Sequence, residues 1–178
     1  MLVNQQKTHI VVSKLPRNED YLTNYDGYVV TTEHFDLANP VTKVDDIPDY
    51  EMYSQTIDSL NKRFGNRVLK GIEIGYIASE KDRIIDYLAD KDYDLKLLSV
   101  HHNGQFDYLD DEVKDMDPAI VIPQYFAQLS EALVVIEADV FAHFDYSFRV
   151  FGLSVAEFKQ YEAQFLPILD QVIKNKLA

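Results

Sequence analysis

Histidines and one glutamate are the side chains of this 178-residue chain that could do chemistry. His34, His101 and His143 each close a short run of apolar and β-branched residues, and Glu73 lies inside a fourth such run, KGIEIGY. Imidazole and carboxylate without thiolate form a ligand set that suits Zn²⁺, Mn²⁺ or Fe²⁺. The sequence has no cysteine, so a metal site would have to use histidines and carboxylates.

Glu73 is stronger evidence for a functional site than any single histidine is. One histidine at the end of a strand is more often an ordinary polar residue near the surface. A carboxylate buried in an apolar strand, by contrast, is costly unless it is paired or bound to a metal. Four such residues on four successive predicted strands therefore indicate a functional set.

Strand and helix patterns alternate along the chain. The predicted strands are 28–32, 71–76, 95–100 and 138–144, with 10–12 as a weaker fifth. Runs that are apolar throughout indicate strands buried on both faces, and their alternation with helices predicts a parallel sheet. The carboxyl ends of parallel strands face one crevice, so we expect the three histidines and Glu73 to converge there.

Helices are predicted between these strands. One spans 49–64, with Gly65 as its stop, and another spans 122–137. The segment 79–82 resembles a capping box that opens a helix, and Ser154 with Glu157 forms a second box. The last helix runs towards Leu177, and we expect Pro167 to kink or restart it.

Charge and composition exclude several classes of protein. The formal net charge is −13, which disfavours binding to nucleic acid or to anionic lipid through bulk charge. Without cysteine there is neither a disulfide nor a cysteine nucleophile. We see no apolar run of about 18 residues and no signal peptide, so we expect no membrane span and a cytoplasmic location.

Four motifs in order carry a resemblance to a known family. They are Thr-Glu-His-Phe-Asp (32–36), Gly-Ile-Glu (71–73), Ser-Val-His-His-Asn-Gly (99–104) and Ala-His-Phe-Asp-Tyr (142–146), with Arg149 behind. Over about residues 20–178 the chain resembles the polymerase-and-histidinol-phosphatase (PHP) family and is most similar to its histidinol-phosphate phosphatase branch. The resemblance implies an α/β fold, a distorted seven-stranded β/α barrel with two or three metal ions at the carboxyl ends of its strands. It also implies hydrolysis of phosphate monoesters.

The resemblance also implies roles for single residues. The metal ligands would be His34, Glu73, His101 and His143. Glu73 matches the carboxylate that bridges two ions, and it is one of two residues implied in catalysis, the other being Asp145. Asp145 and Arg149 match positions beside the substrate, and the guanidinium fork of Arg149 suits phosphate.

Two family motifs are not recognisable. The family opens with a His-x-His box on its first strand, but if Asn4 aligns with the preceding Asp, Gln6 and Thr8 occupy the ligand positions. His9 is a weaker, shifted alternative. The Ser-Asp-x-His box of the last strand is also not present. We therefore expect one PHP-like domain over 1–178, truncated relative to the family, as a partial barrel of four or five parallel strands with flanking helices. Its open edge should make it poorly soluble or favour a homodimer.

Three neighbouring features receive lesser roles. Glu33 precedes His34 and is predicted to accept a proton from a ligand histidine. His102 should point away from the site if the strand continues, and it is predicted to be a loop or supporting residue. The acidic run 107–117 lacks the spacing of a calcium loop and is predicted to be a solvated connection.

The favoured hypothesis is a metal-dependent phosphomonoester hydrolase of the PHP type that acts on histidinol phosphate in histidine biosynthesis. One alternative is a truncated or degenerate PHP-like protein that binds without catalysis, as a binding module or a gene fragment. Another is a PHP phosphoesterase with a different substrate, such as a nucleotide or a nucleic-acid end; the acidic charge disfavours the nucleic-acid version.

Overall fold

A five-stranded, all-parallel sheet forms the centre of the molecule. The computed structural model describes residues 22–178 and, for its backbone alone, residues 9–13. The strands are β1 (His9–Ser13), β2 (Tyr28–Asp36), β3 (Val68–Gly75), β4 (Leu95–Ser99) and β5 (Val140–Phe141), and they lie side by side in that order. The predicted parallel α/β sheet is thus confirmed, including the weak first strand.

Helices follow the strands and cover the sheet. They are α1 (Tyr50–Phe64), α2 (Lys81–Leu88), α3 (Pro118–Val135), α4 (Val155–Phe158) and α5 (Glu162–Asn175). Short 3₁₀ turns at Ala78–Glu80, Asp111–Asp115, Tyr146–Phe148 and Lys159–Tyr161 lie in the connections.

Helix α1 has the boundaries that its sequence predicts. The Asp49 side chain accepts a hydrogen bond from the Met52 N–H at 3.0 Å, and Gly65 ends the helix in the left-handed region at φ 76°. A left-handed C-terminal residue costs glycine little because it has no Cβ. Tyr53, with Ile57 and Leu60, forms the buried face.

The capping box predicted to open α2 is wrong, and Pro167 is not the point at which the last helix restarts. No side-chain cap opens α2, because Ser79 lies inside the preceding 3₁₀ turn and the Glu80 carboxylate accepts from Arg83 at 2.7 Å. Pro167 lies within α5, which runs unbroken from Glu162 to Asn175, so it does not restart the helix, and the expected kink stays a prediction. The interruption occurs upstream, at Lys159–Tyr161. The capping box of Ser154 and Glu157 is confirmed, with both of its hydrogen bonds present.

Helix α3 lies in the core. Seven of its residues are buried, and Asn175 of α5 donates to the Leu133 carbonyl at 2.9 Å. Its length and composition alone would allow it to cross a membrane, contrary to the expectation that no apolar run is long enough. The core helix of a globular fold meets the same criteria, and seven residues of α3 are buried in this core.

Strand β5 is much shorter than the predicted strand 138–144. It ends at Phe141 because His143, two residues later, adopts a left-handed backbone with φ 55°. The outer edge of β5 is covered in part by the chain itself. The Phe141 N–H donates to the Ala178 carbonyl, and the Ala178 N–H donates to the Asp139 carbonyl, both at 3.0 Å. The expected homodimer stays a prediction.

Replacing Tyr53 with Phe is expected to destabilise the fold by about 1–3 kcal/mol. The buried Tyr53 hydroxyl lies 2.8 Å from the Thr31 carbonyl, 3.0 Å from the Gly71 carbonyl and 3.2 Å from the Gly71 N–H, so it ties β2 to β3. Urea unfolding monitored by circular dichroism measures the loss. Tyr50→Phe on the same helix is the control, because its hydroxyl bonds near the surface can be replaced by water. Equal losses for the two variants would contradict this role.

Candidate metal centre

Four side chains from four neighbouring strand ends meet at one edge of the sheet. His34 lies on β2 directly opposite Glu73 on β3, and His101 and His143 follow β4 and β5. The Nε2 atoms of His101 and His143 each lie 3.2 Å from Glu73 Oε1, and that of His34 lies 3.5 Å from Glu73 Oε2. The expected convergence of these residues is therefore what the structure shows.

Asp36 is the residue of this site that the sequence did not reveal. Its Oδ1 lies 2.7 Å from His101 Nδ1, and its Oδ2 lies 3.2 Å from His34 Nδ1. Each imidazole therefore has Asp36 on one nitrogen and Glu73 on the other. A carboxylate on the far nitrogen of a metal-binding histidine fixes the orientation of the ring.

The supporting role predicted for Glu33 is wrong. Successive side chains of a strand point to opposite faces, so Glu33 points away from the face that carries His34 and Asp36. Glu33 instead lines a groove beside Met52 and Tyr53 of α1. The same alternation, applied to the motif Glu33-His34-Phe35-Asp36, is the signal that would have selected Asp36.

His143 is positioned by an uncommon backbone conformation. Its φ of 55° is costly for a residue with a Cβ, and the Tyr125 hydroxyl donates to its carbonyl at 2.7 Å. The ring of Tyr146 packs beside two of the histidines, with its centroid 5.1 Å from that of His101 and 6.1 Å from that of His143. The turn after β5 thus directs the His143 imidazole towards Glu73.

Burial and hydrogen bonding have opposite effects on the pKa values of the groups in this cluster. Burial alone would lower the pKa of His101, but its bonds with Asp36 and Glu73 raise that pKa to about 10. Burial would raise the pKa values of both carboxyl groups, yet the neighbouring histidines hold them below their usual values. The hydrogen bond with Asp36 also raises the pKa of His34, against the effect of burial. Without a metal, these shifts favour ionised carboxylates and a protonated His101 imidazole.

An open cleft of about 370 Å³ contains the cluster. Its remaining lining residues are Asn39, Asp107, Tyr146 and Arg149. Asp107 belongs to the acidic run predicted to be a solvated connection, but its carboxylate faces the cleft and accepts from the Tyr146 hydroxyl at 3.3 Å. A larger hollow, about 510 Å³, lies between the ends of α3 and α5 and is lined by no histidine.

Asp145 and Arg149 form a pair at the rim of the cleft. The Arg149 guanidinium donates through Nε and Nη2 to the two oxygens of Asp145, at 2.9 and 2.6 Å. Arg149 lines the cleft, whereas Asp145 is not among its lining residues and is about half exposed. The roles predicted for both residues stay predictions.

The remaining predicted residues lie away from the cluster. His102 is buried beyond the strand end, where its Nδ1 accepts from the Gly104 N–H at 3.2 Å and burial lowers its pKa. His9 pairs with Tyr28 at the amino end of β2, which is the opposite edge of the sheet, so the shifted alternative for His9 is wrong. Asn4, Gln6 and Thr8 lie outside the described residues.

The donor set fits a divalent metal ion. Ligand atoms of His34, Glu73 and His101 all lie within 4.8 Å of one another, and His143 approaches the same carboxylate. Glu73 is 5% exposed and His101 is 7% exposed, so the charges are shielded from bulk water. Three imidazoles and a carboxylate are ligands that Zn²⁺, Mn²⁺ and Fe²⁺ accept.

The fold and the site together define an α/β protein with a candidate metal centre at the carboxyl ends of its parallel strands. No protein-family model matches the sequence, and no curated protein matches it either. A solved structure that it resembles is a histidinol phosphate phosphatase from Lactococcus lactis subsp. lactis Il1403, complexed with zinc, L-histidinol and phosphate. The TM-score is 0.81 at 20% sequence identity, and the match covers 96% of this chain and 71% of that chain. The chain therefore has the fold of a partial PHP-type β/α barrel.

The stability of the metal-free protein is expected to fall as the pH rises from 6.5 to 9. The folded pKa of His101, about 10, lies above its ordinary value of 6.5. The stabilisation from its proton is therefore complete below pH 6.5 and is lost as the pH rises towards 10. Urea unfolding in the presence of a chelator measures this slope.

His101→Gln is the comparison variant for that slope. A glutamine does not titrate, so the variant should show a smaller decrease over the same pH interval, whatever its absolute stability. An identical slope in the two proteins would show that the His101 proton does not stabilise the fold.

Proposed function

We propose that this protein is a metal-dependent phosphomonoester hydrolase of the PHP type that acts on histidinol phosphate, as in histidine biosynthesis in the cytoplasm. The observation that carries the proposal is the convergence of three imidazole Nε2 atoms on the Glu73 carboxylate, beside an arginine. The proposal is also supported by the similarity of the fold to that of a histidinol phosphate phosphatase, which is complexed with zinc, L-histidinol and phosphate.

The metal would be held by His34, Glu73, His101 and His143. The two Glu73 oxygens face different histidines: Oε2 lies beside His34, and Oε1 lies beside the other two. With its oxygens divided in this way, Glu73 would be placed to bridge two ions, the role that the resemblance implies. When bound, divalent ions supply Lewis-acid activation of water and neutralise charge on a phosphoryl group.

Arg149 would bind the phosphate of the substrate. Its Nε and Nη2 atoms donate to Asp145, which orients the guanidinium. A doubly charged phosphate is a stronger acceptor than one exposed carboxylate, so it can compete with Asp145 for the fork. Asp145 would then be freed beside the substrate, where a role in catalysis was predicted.

Binding without catalysis is the second candidate function. Among the described residues the cluster offers four ligands, whereas a site with two ions usually gives each ion three or more protein ligands. A single ion held by these four side chains would retain electrostatic stabilisation but lose the clamp that two ions provide. The two candidates predict different turnover with the same metal affinity.

Zinc affinity is expected to fall by roughly a hundredfold or more in Glu73→Gln, because a residue that only orients a ligand already contributes about 10–100-fold. Glu73 is the one side chain that all three histidines approach. Competition with a chromophoric chelator measures the affinity. Glu33→Gln on the neighbouring strand is the matched control and should bind zinc as the unmodified protein does. Equal affinity for all three proteins would contradict a metal site at Glu73.

Turnover of histidinol phosphate with Mn²⁺ or Zn²⁺ is expected to lie below the ordinary enzyme range of about 1–10³ s⁻¹, because only four ligands are recognisable.

Arg149→Lys should lower kcat/KM further, since lysine cannot donate a fork to phosphate. Phosphate release measures both effects, and Arg63→Ala on α1, away from the cleft, is the control. Turnover within the ordinary range would contradict the ligand-count argument, and no metal-dependent release at all would favour binding without catalysis.

A further inference from the structure

We infer that Asp36 is a positioning residue that orients His34 and His101 together, and that Gly75 is the strand position that makes room for it. The inference rests on the proposed metal site, because it assigns the residues that prepare two of its ligands. It concerns contacts on the side of the imidazoles that faces away from Glu73.

The two oxygens of Asp36 are divided between two rings. Oδ1 lies 2.7 Å from His101 Nδ1, and Oδ2 lies 3.2 Å from His34 Nδ1. An ionised carboxylate can only accept hydrogen bonds, so both Nδ1 atoms must donate. This directs both Nε2 atoms towards Glu73, where a metal would need their lone pairs. One carboxylate thus sets the rotation of two ligands from two strands.

Gly75 lies directly opposite Asp36 in the pairing of β2 with β3. A Cβ at this position would lie 1.8 Å from Asp36 Oδ1 and 3.2 Å from His101 Nδ1. The first distance is far below any contact that two non-bonded atoms can make. The φ of Gly75 is not in the left-handed region, so the reason for glycine here is the space that its missing side chain leaves to the carboxylate.

Glu33 provides a matched carboxylate on the same strand. It lies one residue before His34 and lines the groove beside α1 rather than the cleft. A general effect of lost negative charge on β2 would act at both positions, whereas an orienting contact exists only at Asp36.

The first test compares Asp36→Asn with Glu33→Gln. Asparagine keeps the shape of Asp36 but has one accepting oxygen for two Nδ1–H groups, so one ring loses its partner. We expect zinc affinity about 10–100-fold lower in Asp36→Asn and unchanged in Glu33→Gln. We also expect NMR of the metal-free, ¹⁵N-histidine-labelled protein to show hydrogen-bonded, downfield-shifted Nδ1 protons of His34 and His101, with at least one lost in Asp36→Asn.

The two measurements separate this inference from the proposed function. Unmodified protein that binds no zinc but shows the downfield Nδ1 protons would contradict the metal site and support the role of Asp36. Zinc affinity in Asp36→Asn equal to that of the unmodified protein, or an unchanged proton spectrum, would overturn the inference.

The second test is a double-mutant cycle between Gly75→Ala and Asp36→Ala. Gly75→Ala should lower the midpoint of urea unfolding and weaken zinc binding, because the methyl group displaces the carboxylate. In the Asp36→Ala background the same substitution should lower the midpoint less, since the overlapping oxygen is gone. An equal decrease in both backgrounds would overturn the role assigned to Gly75. Should Gly75→Ala fail to fold, folding of the double variant would support it and failure of both would count against it.

Discussion

The carboxylate of Glu73 lies almost fully buried in the middle of a parallel sheet, and the site is built to satisfy it. A buried, ionised carboxylate is costly unless charged or hydrogen-bonding partners surround it. Its partners are imidazoles at the ends of β2, β4 and β5. The parallel arrangement makes this possible, because it brings the carboxyl ends of strands distant in sequence to one edge.

The register between β2 and β3 fixes the geometry of the site more than any single contact does. It sets His34 against Glu73 and, two residues on, Asp36 against Gly75. A slip of one residue would turn His34 and Asp36 to the opposite face, towards α1. The Tyr53 hydroxyl bonds to backbone groups of both strands and therefore holds the register from the other side of the sheet. Helix α1 thus supports the site from the opposite face of the sheet.

Much of this arrangement could be predicted from the sequence, since apolar runs and strand–helix alternation reveal a parallel sheet and its functional edge. His34, Glu73, His101 and His143 were found because each lies at or near the end of such a run. Asp36 was missed because proximity along the chain favoured Glu33, although the alternation of side chains on a strand favoured Asp36. The early end of β5 could not be predicted, because the left-handed conformation of His143 depends on contacts with α3.

A proton and a metal ion would compete for the same Nε2 atoms in the proposed site. Two buried carboxylates need positive charge nearby, and without a metal their hydrogen bonds favour the protonated form of His101 by raising its pKa. A divalent ion would supply the positive charge that is lost when that proton dissociates. The fold would then not need to rearrange when the ion replaces the proton. Asp36 can orient the imidazoles in the protonated and in the metal-bound protein, because it accepts the Nδ1 hydrogens whether or not Nε2 carries a proton. The Asp36 carboxylate would therefore hold both rings in the same orientation with or without a bound metal.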